Sequence, residues 1–226
     1  GAPCGESHRL RVSLASRRDF LAVAAGGALG AMGGGILLGV SLPVRGEARG
    51  TPGADAAFAP NAFLRIESTG KITFVMPVVE MGQGTYTSIP MLIAEELEVD
   101  VDKVAIEHSP PDDKVYVNPL IGIQMTGGST AIRGTYGPLR RAGATARTML
   151  VAAAARHWNV DPSSCRASNG EVHHGASGRR LGYGELAKSA ASLPAPVDVK
   201  LKEPADFKLI GQPHRRLDTA GKVDGT

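Results

Sequence analysis

Two short glycine loops carry the residue types best suited to chemistry in this chain of 226 residues. The first is Glu80-Met81-Gly82-Gln83-Gly84, placed between an expected strand and an expected helix. That is a position where backbone N–H groups converge on an anion or on the edge of a bound molecule. The glycines permit close backbone approach, and the Gln83 amide offers one donor and one acceptor side to a heterocycle or an oxo group. The bare pattern serves a tight turn with an exposed glutamine equally well. The second loop, Thr126-Gly127-Gly128-Ser129-Thr130, sets three hydroxyls and two glycines ahead of a helix N-terminus, whose dipole favours phosphate. It lacks the lysine of a P-loop and does not match G-x-G-x-x-G, so an ordinary helix cap is the competing reading. Two such loops in one domain strengthen each other.

The remaining polar candidates point to structure rather than chemistry. His173-His174 reads as a solvated turn beside Gly175, since neighbouring strand residues face opposite ways and cannot share a metal. Asp112-Asp113 follows two prolines in a long loop and reads as a solvated pair. Arg140-Arg141 and Arg147 read as the wet face of a helix, with one of them within reach of a phosphate at the nearby loop. Cys165 reads as a buried structural thiol, and no zinc or iron–sulfur spacing exists. No metal ligands, G-x-S-x-G elbow or Cys/His nucleophile stands out.

The elements that must hold these loops follow from periodicity. Phe63–Glu67 alternates apolar with polar, Ser68-Thr69-Gly70-Lys71 turns, and Ile72–Met76 resumes, which predicts a hairpin. A helix capped by Thr85 or Thr87 is expected to run to about Val99, with Ile89, Leu92, Ile93 and Leu97 on one face. A strand at Val104–His108 completes a β-β-α-β order. Residues 109–128 contain Pro110, Pro111, Pro119, Gly122, Gly127 and Gly128 and are long for a loop, which marks them as functional or disordered. A long helix is expected from near Ser129 to near Trp158, kinked or broken by Gly134, Gly137 and Pro138. A small hairpin around Asn169-Gly170 and a short helix over 183–193 follow. From Pro194 the chain reads as extended, with a boundary near 200–212. The fold class expected is α+β.

Ser16-Arg17-Arg18-Asp19-Phe20-Leu21, with 25 uncharged residues from Phe20 to Val44, reads as a twin-arginine export signal, the type that carries proteins folded before export. A spanning helix needs roughly 20 apolar residues, so length alone also admits a membrane helix. Seven glycines between Gly26 and Gly39, and Pro43 at the end, make the run poorly apolar for that role. Ala54-Asp55-Ala56 has the small-x-small form of a cleavage site but lies far from the apolar run, which leaves a retained anchor open. Residues 45–60 read as a linker. The division expected is 1–57 for signal or anchor plus linker, 58–203 for the main domain, and 204–226 for the entry to a following domain, within a longer chain. The net charge of +3 resides in Arg9, Arg11, Arg17 and Arg18 against Glu6, and only ten aromatics are scattered along the chain. Nucleic acid is therefore not an expected partner.

Glu80 through Thr85, Met91-Leu92-Ile93-Ala94-Glu95-Glu96-Leu97, and Gln124 through Thr130 together resemble the molybdopterin-binding large subunit of the xanthine dehydrogenase/aldehyde oxidase family. The closer likeness is to its periplasmic branch of isoquinoline 1-oxidoreductase beta subunits and membrane-bound aldehyde dehydrogenases. Arg17-Arg18, Pro60-Asn61-Ala62-Phe63, Arg141-Ala142-Gly143-Ala144 and Lys208 through Asp218 fit that branch as well. The resemblance implies a molybdopterin dinucleotide, in its cytosine form, with molybdenum. It implies that Met81, Gly82, Gln83 and Gly84 meet the pterin and the metal's oxo environment, and that Gly127, Gly128, Ser129 and Thr130 meet the pterin and phosphate side. It implies hydroxylation of an N-heterocycle or aldehyde carbon with oxygen from water. Electrons would pass to [2Fe-2S] clusters on a small iron–sulfur subunit, since no cluster ligands occur here, with a cytochrome c as further acceptor. Residues 204–226 would enter a hammerhead-like domain, and the twin-arginine translocation machinery would deliver the protein to the periplasm. The family's catalytic base, a glutamate in a Gly-x-Gly-Glu motif near the far end of the family's large subunit, is expected outside this chain, and the motif itself is not expected within it. No catalytic residue is assigned here, Glu80 included. An exported, non-catalytic binding module or a membrane-anchored scaffold is the alternative.

Overall fold

The computed structural model describes residues 62–225 and, upstream of them, the backbone of two strand segments, Gly30–Met32 (β1) and Gly35–Gly39 (β2). Arg17-Arg18 and the linker at 45–60 lie outside the described residues. Within the apolar run β1 and β2 pair antiparallel with each other, and β2 pairs with β3, Ala62–Ile66.

The expected β-β-α-β order is the order found. β3 and β4, Ile72–Met76, form a hairpin whose turn places Gly70 at φ 87°, a left-handed value that glycine adopts without a Cβ penalty. Helix α1, Thr85–Leu97, then crosses over, and β5, Val104–His108, returns parallel beside β4, with Ile72 facing Val104 and Met76 facing His108. The strand order is β1-β2-β3-β4-β5. All five residues of β4 are buried, as a central strand covered on both faces requires.

Ile89, Leu92, Ile93 and Leu97 are buried on α1, as their spacing predicts. They pack toward α2, Ala131–Trp158, whose Leu139, Ala146, Met149, Leu150 and Ala153 share the same core. The helices approach closely at Gly143, where a Cβ would lie 2.7 Å from the Ile93 carbonyl oxygen. Of the two outcomes expected for Gly134, Gly137 and Pro138, a break does not occur: α2 is continuous for 28 residues. A proline inside a helix costs about 3 kcal/mol, which burial of several apolar side chains at about 1.5–3 kcal/mol each offsets. Gly134 also leaves room for Pro119, which an added Cβ would meet at 3.3 Å.

Beyond α2, three short strands form an antiparallel meander: β6, Cys165–Ser168, β7, Glu171–His174, and β8, Arg179–Gly182. Asn169 and Gly170, at φ 52° and 87°, make the tight β6–β7 turn that the sequence marks. Helix α3, Tyr183–Ala191, closes the core, and Tyr183 Oη donates to the Leu97 carbonyl at 2.7 Å.

The chain from 194 to 225, with a small helix α4 at Ala220–Val223, lies back across α1 and α2. Two buried carboxylates hold it there. Glu95, 1 % exposed, accepts the backbone N–H groups of Lys208, Leu209 and Ile210 at 2.7–3.1 Å and the Lys202 ammonium at 2.6 Å. Burial pushes its pKa up, but Lys202 and the Leu209 and Ile210 amides pull harder, so it lies below the usual carboxylate value. Glu96, 0 % exposed, accepts from Arg140 at 2.7 and 2.9 Å, from Arg147 at 3.3 Å and from the Lys202 N–H at 3.2 Å. Arg140 and Arg147 are therefore not a wet face reaching for phosphate. Both turn inward to a buried glutamate, and only Arg141 of the three is exposed.

Candidate functional site

The two glycine loops meet. The Val79 N–H, just ahead of the first loop, donates to Thr126 Oγ1 of the second at 2.9 Å. Beside that contact lies a cleft of about 520 Å³, walled by Pro77, Val79 and Met81 on one side and by Gln124, Met125 and Thr126 on the other.

The first loop takes its shape from Glu80. That side chain is 1 % exposed, and its carboxylate accepts the N–H groups of Gly82 at 2.8 Å, Gly84 at 2.9 Å and Tyr86 at 3.0 Å. It also meets Thr85 Oγ1 at 3.3 Å and Arg216 Nη2 at 2.9 Å. Glu80 thus serves the free amides at the start of α1, and the expected side-chain cap by Thr85 or Thr87 is absent. Thr87 Oγ1 instead accepts the Leu217 N–H at 3.0 Å. Burial raises the Glu80 pKa, but the amides of Gly84, Tyr86 and Gly82 and the charge of Arg216 outweigh it and hold it down at about 2. An anion this strongly stabilised cannot serve as a general base near neutral pH.

Gly82 and Gly84 stand at φ 106° and 86°, with open space where a side chain would sit. Met81, Gly82 and Gln83 are exposed, Met81 at 67 %. The Gln83 amide folds onto its own loop: Oε1 accepts the Met81 N–H, and Nε2 donates to the Val79 carbonyl at 2.7 Å. One amide hydrogen and the remaining lone pair stay available to a ligand.

The second loop is held by neutral groups. Gly128 and Ser129 both adopt left-handed values, φ 60° and 52°, and both are exposed. Thr130 is buried, donating Oγ1 to the Gly127 carbonyl at 2.7 Å and accepting Asn118 Nδ2 at 2.6 Å. Its hydroxyl is thereby drawn away from capping α2, and no side-chain cap covers that helix start. The preceding long loop is ordered by its own polar groups. Gln124 accepts the Asp112 N–H at 2.7 Å and donates to Ser109 Oγ at 2.9 Å, while Asp113 accepts the Gln124 N–H. Asp112 and Asp113 stay at the surface, half-buried and exposed, as a solvated pair does, and the Asp113 carboxylate also staples the loop to Gln124.

His173-His174 lies in β7, not in a turn: His174 is buried beside Trp158, with Ser177 Oγ 2.7 Å from Nδ1, and His173 faces Glu171 at 3.3 Å. Cys165 is half-buried against the core. The string Gly-x-Gly-Glu does occur here, at Gly182-Tyr183-Gly184-Glu185, contrary to expectation. Glu185 there accepts the Gly182 N–H at 2.7 Å and caps α3, and it is not among the residues that wall the cleft, so it is no base for this site. Among the described residues, no group of three or more His, Cys, Asp or Glu side chains is placed to hold a metal ion. No helix among them is long and apolar enough to cross a membrane.

Sequence reasoning missed the roles of Glu80, Arg216 and the pair Glu95 and Glu96. Glu96 had a usable signal, because Ile89, Ile93 and Glu96 fall at i, i+4 and i+7 on the apolar stripe, and a carboxylate there must find a buried partner. Arg216 had none, since its partners in the first loop lie 134 and 136 residues upstream.

A crossover unit that joins two open glycine loops over a cleft is a ligand-binding α+β domain. The chain belongs to the molybdopterin cofactor-binding domain family, whose model matches residues 28–222. It is 33% identical to the beta subunit of isoquinoline 1-oxidoreductase from Brevundimonas diminuta, over 93% of this chain and 31% of that protein. It is 30% identical to the membrane-bound aldehyde dehydrogenase (pyrroloquinoline-quinone) of Gluconacetobacter polyoxogenes, over 98% of this chain and 28% of that protein. The chain thus spans no more than about a third of these curated relatives. Among solved structures, quinoline 2-oxidoreductase from Pseudomonas putida 86 aligns at 21% identity and a TM-score of 0.45, over 64% of this chain and 19% of that one.

The residues present fit such a cofactor. Gly82 and Gly84 leave open space where a side chain would sit, the start of α2 carries no side-chain cap, and each loop gives one residue, Met81 and Thr126, to the wall of the cleft, which Asp112 and Asp113 also line.

Proposed function

We propose that this chain is the molybdopterin-binding part of an exported molybdenum hydroxylase that oxidises an N-heterocycle or an aldehyde. The observation that carries the reading is the joining of the two glycine loops through Val79 and Thr126, beside a cleft both of them wall, in a member of this family. Gly82, Gln83 and Gly84 would hold the pterin edge through backbone groups and the free side of the Gln83 amide. Gly127, Gly128, Ser129 and Thr130 would meet the phosphate side, where the uncapped N–H groups of α2 and its dipole favour negative charge. When bound, the molybdenum centre supplies the two-electron oxidation that places a water-derived oxygen on the substrate carbon.

The finer points of the reading rest on the family likeness and the sequence. They are a cytosine dinucleotide form, an iron–sulfur partner with a cytochrome c beyond it, and export to the periplasm directed by Arg17-Arg18, with or without a retained anchor. Residues 204–226 would lead into a following domain. The catalytic base would come from outside this chain, since Glu80 is locked as an anion and Glu185 is a helix cap.

The test is the content of the purified full-length protein. Molybdenum and a pterin dinucleotide in near-equal amounts are expected, and Gly128→Asp should lower both more than Gly128→Ala, because it sets an anion against the phosphate side. A full-length protein without molybdenum or pterin, or equal retention in the two variants, would reduce the loops to a turn and a helix cap.

A further inference from the structure

We infer that Arg216 is a positioning residue for the first glycine loop, setting the direction of the Gly82–Gln83 peptide from 134 residues downstream. The inference deepens the functional reading above and rests on it for what the loop would meet. Nothing steric fixes this loop at its two glycines: a Cβ at Gly82 or Gly84 would meet no atom within 4 Å. Its shape is therefore set by hydrogen bonds. Glu80 gathers the Gly82, Gly84 and Tyr86 amides from one side, but a carboxylate alone leaves the carbonyls of the turn undirected. Arg216 supplies the other half. Nη2 donates to Glu80 Oε1 at 2.9 Å, while Nη1 donates to the Gly82 carbonyl at 2.9 Å.

The guanidinium is a rigid planar fork, so the two bonds fix the carboxylate and the carbonyl relative to each other. The back of the fork is braced by Asp218, which accepts from Nε at 3.1 Å and from Nη2 at 3.0 Å and is itself paired with Lys222. Hydrogen bonding to Arg216 and Lys222 keeps Asp218 ionised far below its usual range, so the brace is a permanent anion at working pH. A trans peptide is planar, with the N–H opposite the C=O. Holding the Gly82 carbonyl toward Arg216 therefore aims the Gln83 N–H to the opposite side of the loop. The adjoining Leu217 N–H is held by Thr87 of α1, which anchors the same segment one residue on. A loop whose two glycines would otherwise sample many conformations is thus preset by a segment that docks onto α1.

The test is amide hydrogen exchange on the full-length protein, loaded and stripped of cofactor, for wild type, Arg216→Gln, Arg216→Lys and Asp218→Asn. Arg216→Gln should speed exchange at Gly82, Gly84 and Tyr86 by about tenfold or more, while the Lys208, Leu209 and Ile210 amides held by Glu95 stay protected. Arg216→Lys should fall between, because one ammonium keeps the charge but cannot reproduce the fork. Asp218→Asn should give a smaller increase at the same three amides, and it carries the test if Arg216→Gln does not fold. Unchanged exchange at Gly82, Gly84 and Tyr86 would overturn the assignment, as would equal acceleration at Lys208–Ile210, which would mean only that the segment detaches as a whole. Local acceleration in a wild-type background that holds no molybdenum or pterin would support the positioning role and overturn the functional reading.

Discussion

The two loops that wall the cleft are built alike in sequence and held differently. The first is organised by an ionised glutamate and a distant arginine, with five charge-assisted contacts converging on Glu80 and Arg216. The second is organised by a threonine and an asparagine, close in sequence and uncharged. A charged clamp gives stronger bonds but makes the loop depend on pH and on the docking of another segment, whereas a neutral one is local and indifferent to both. The first loop is therefore the one whose geometry the rest of the chain controls.

Glu80→Gln should have the largest effect. It removes the anion that three amides and Arg216 share, and about 3 kcal/mol of stability is expected to go, read as a shift in the denaturant midpoint of the full-length protein. A loss of about 2 kcal/mol or less would put the two loops on the same footing. Acid offers the same test without mutation. The Glu80 pKa is lowered in the folded protein, so its contribution is fully present above the unfolded value of about 4.3 and is lost as pH falls toward about 2. Over that window wild type should lose stability more steeply than Glu80→Gln; parallel profiles would show that Glu80 contributes nothing there.

Asn118→Ala should cost less, about 1–2 kcal/mol, because Thr130 keeps the Gly127 carbonyl and the two bonds lost, to Thr130 Oγ1 and from the Leu120 N–H, are both between neutral groups. Its cost should not change between mildly acidic and neutral pH, and a pH-dependent cost would break the contrast between the loops. Thr126→Val should be the mildest, about 0.5–1 kcal/mol, since its bond to the Val79 N–H is exposed. Its effect belongs on cofactor retention rather than stability, and a variant that retains cofactor like wild type would show that the bridge between the loops is dispensable.

Local pattern carried much of this structure. Alternation over Phe63–Glu67 and Ile72–Met76, the stripe Ile89, Leu92, Ile93 and Leu97, and the strand at Val104–His108 all sit where periodicity placed them. β8 was not legible, because Arg179-Arg180-Leu181-Gly182 is short and charged and gains its place only by pairing with β7. The two glycine loops were legible as loops, but what fixes them was not. Glu80 looks like any acidic residue before a helix until Arg216 arrives from 136 residues away. Arg140 and Arg147 looked solvated because nothing near them in sequence shows that Glu96 is buried opposite. Periodicity can mark a residue such as Glu96 as buried, but it leaves no trace of which distant residue pairs with it, and such distant pairs set this site.

The most direct measurement is a structure of the full-length protein with its cofactor, using anomalous scattering at the molybdenum edge to place the metal. The expected result is a pterin dinucleotide in the cleft beside Val79 and Thr126, with Gly82–Gly84 at the pterin and metal end and Gly128–Thr130 at the phosphate end. A cofactor bound elsewhere, with both loops facing solvent or another domain, would contradict the reading.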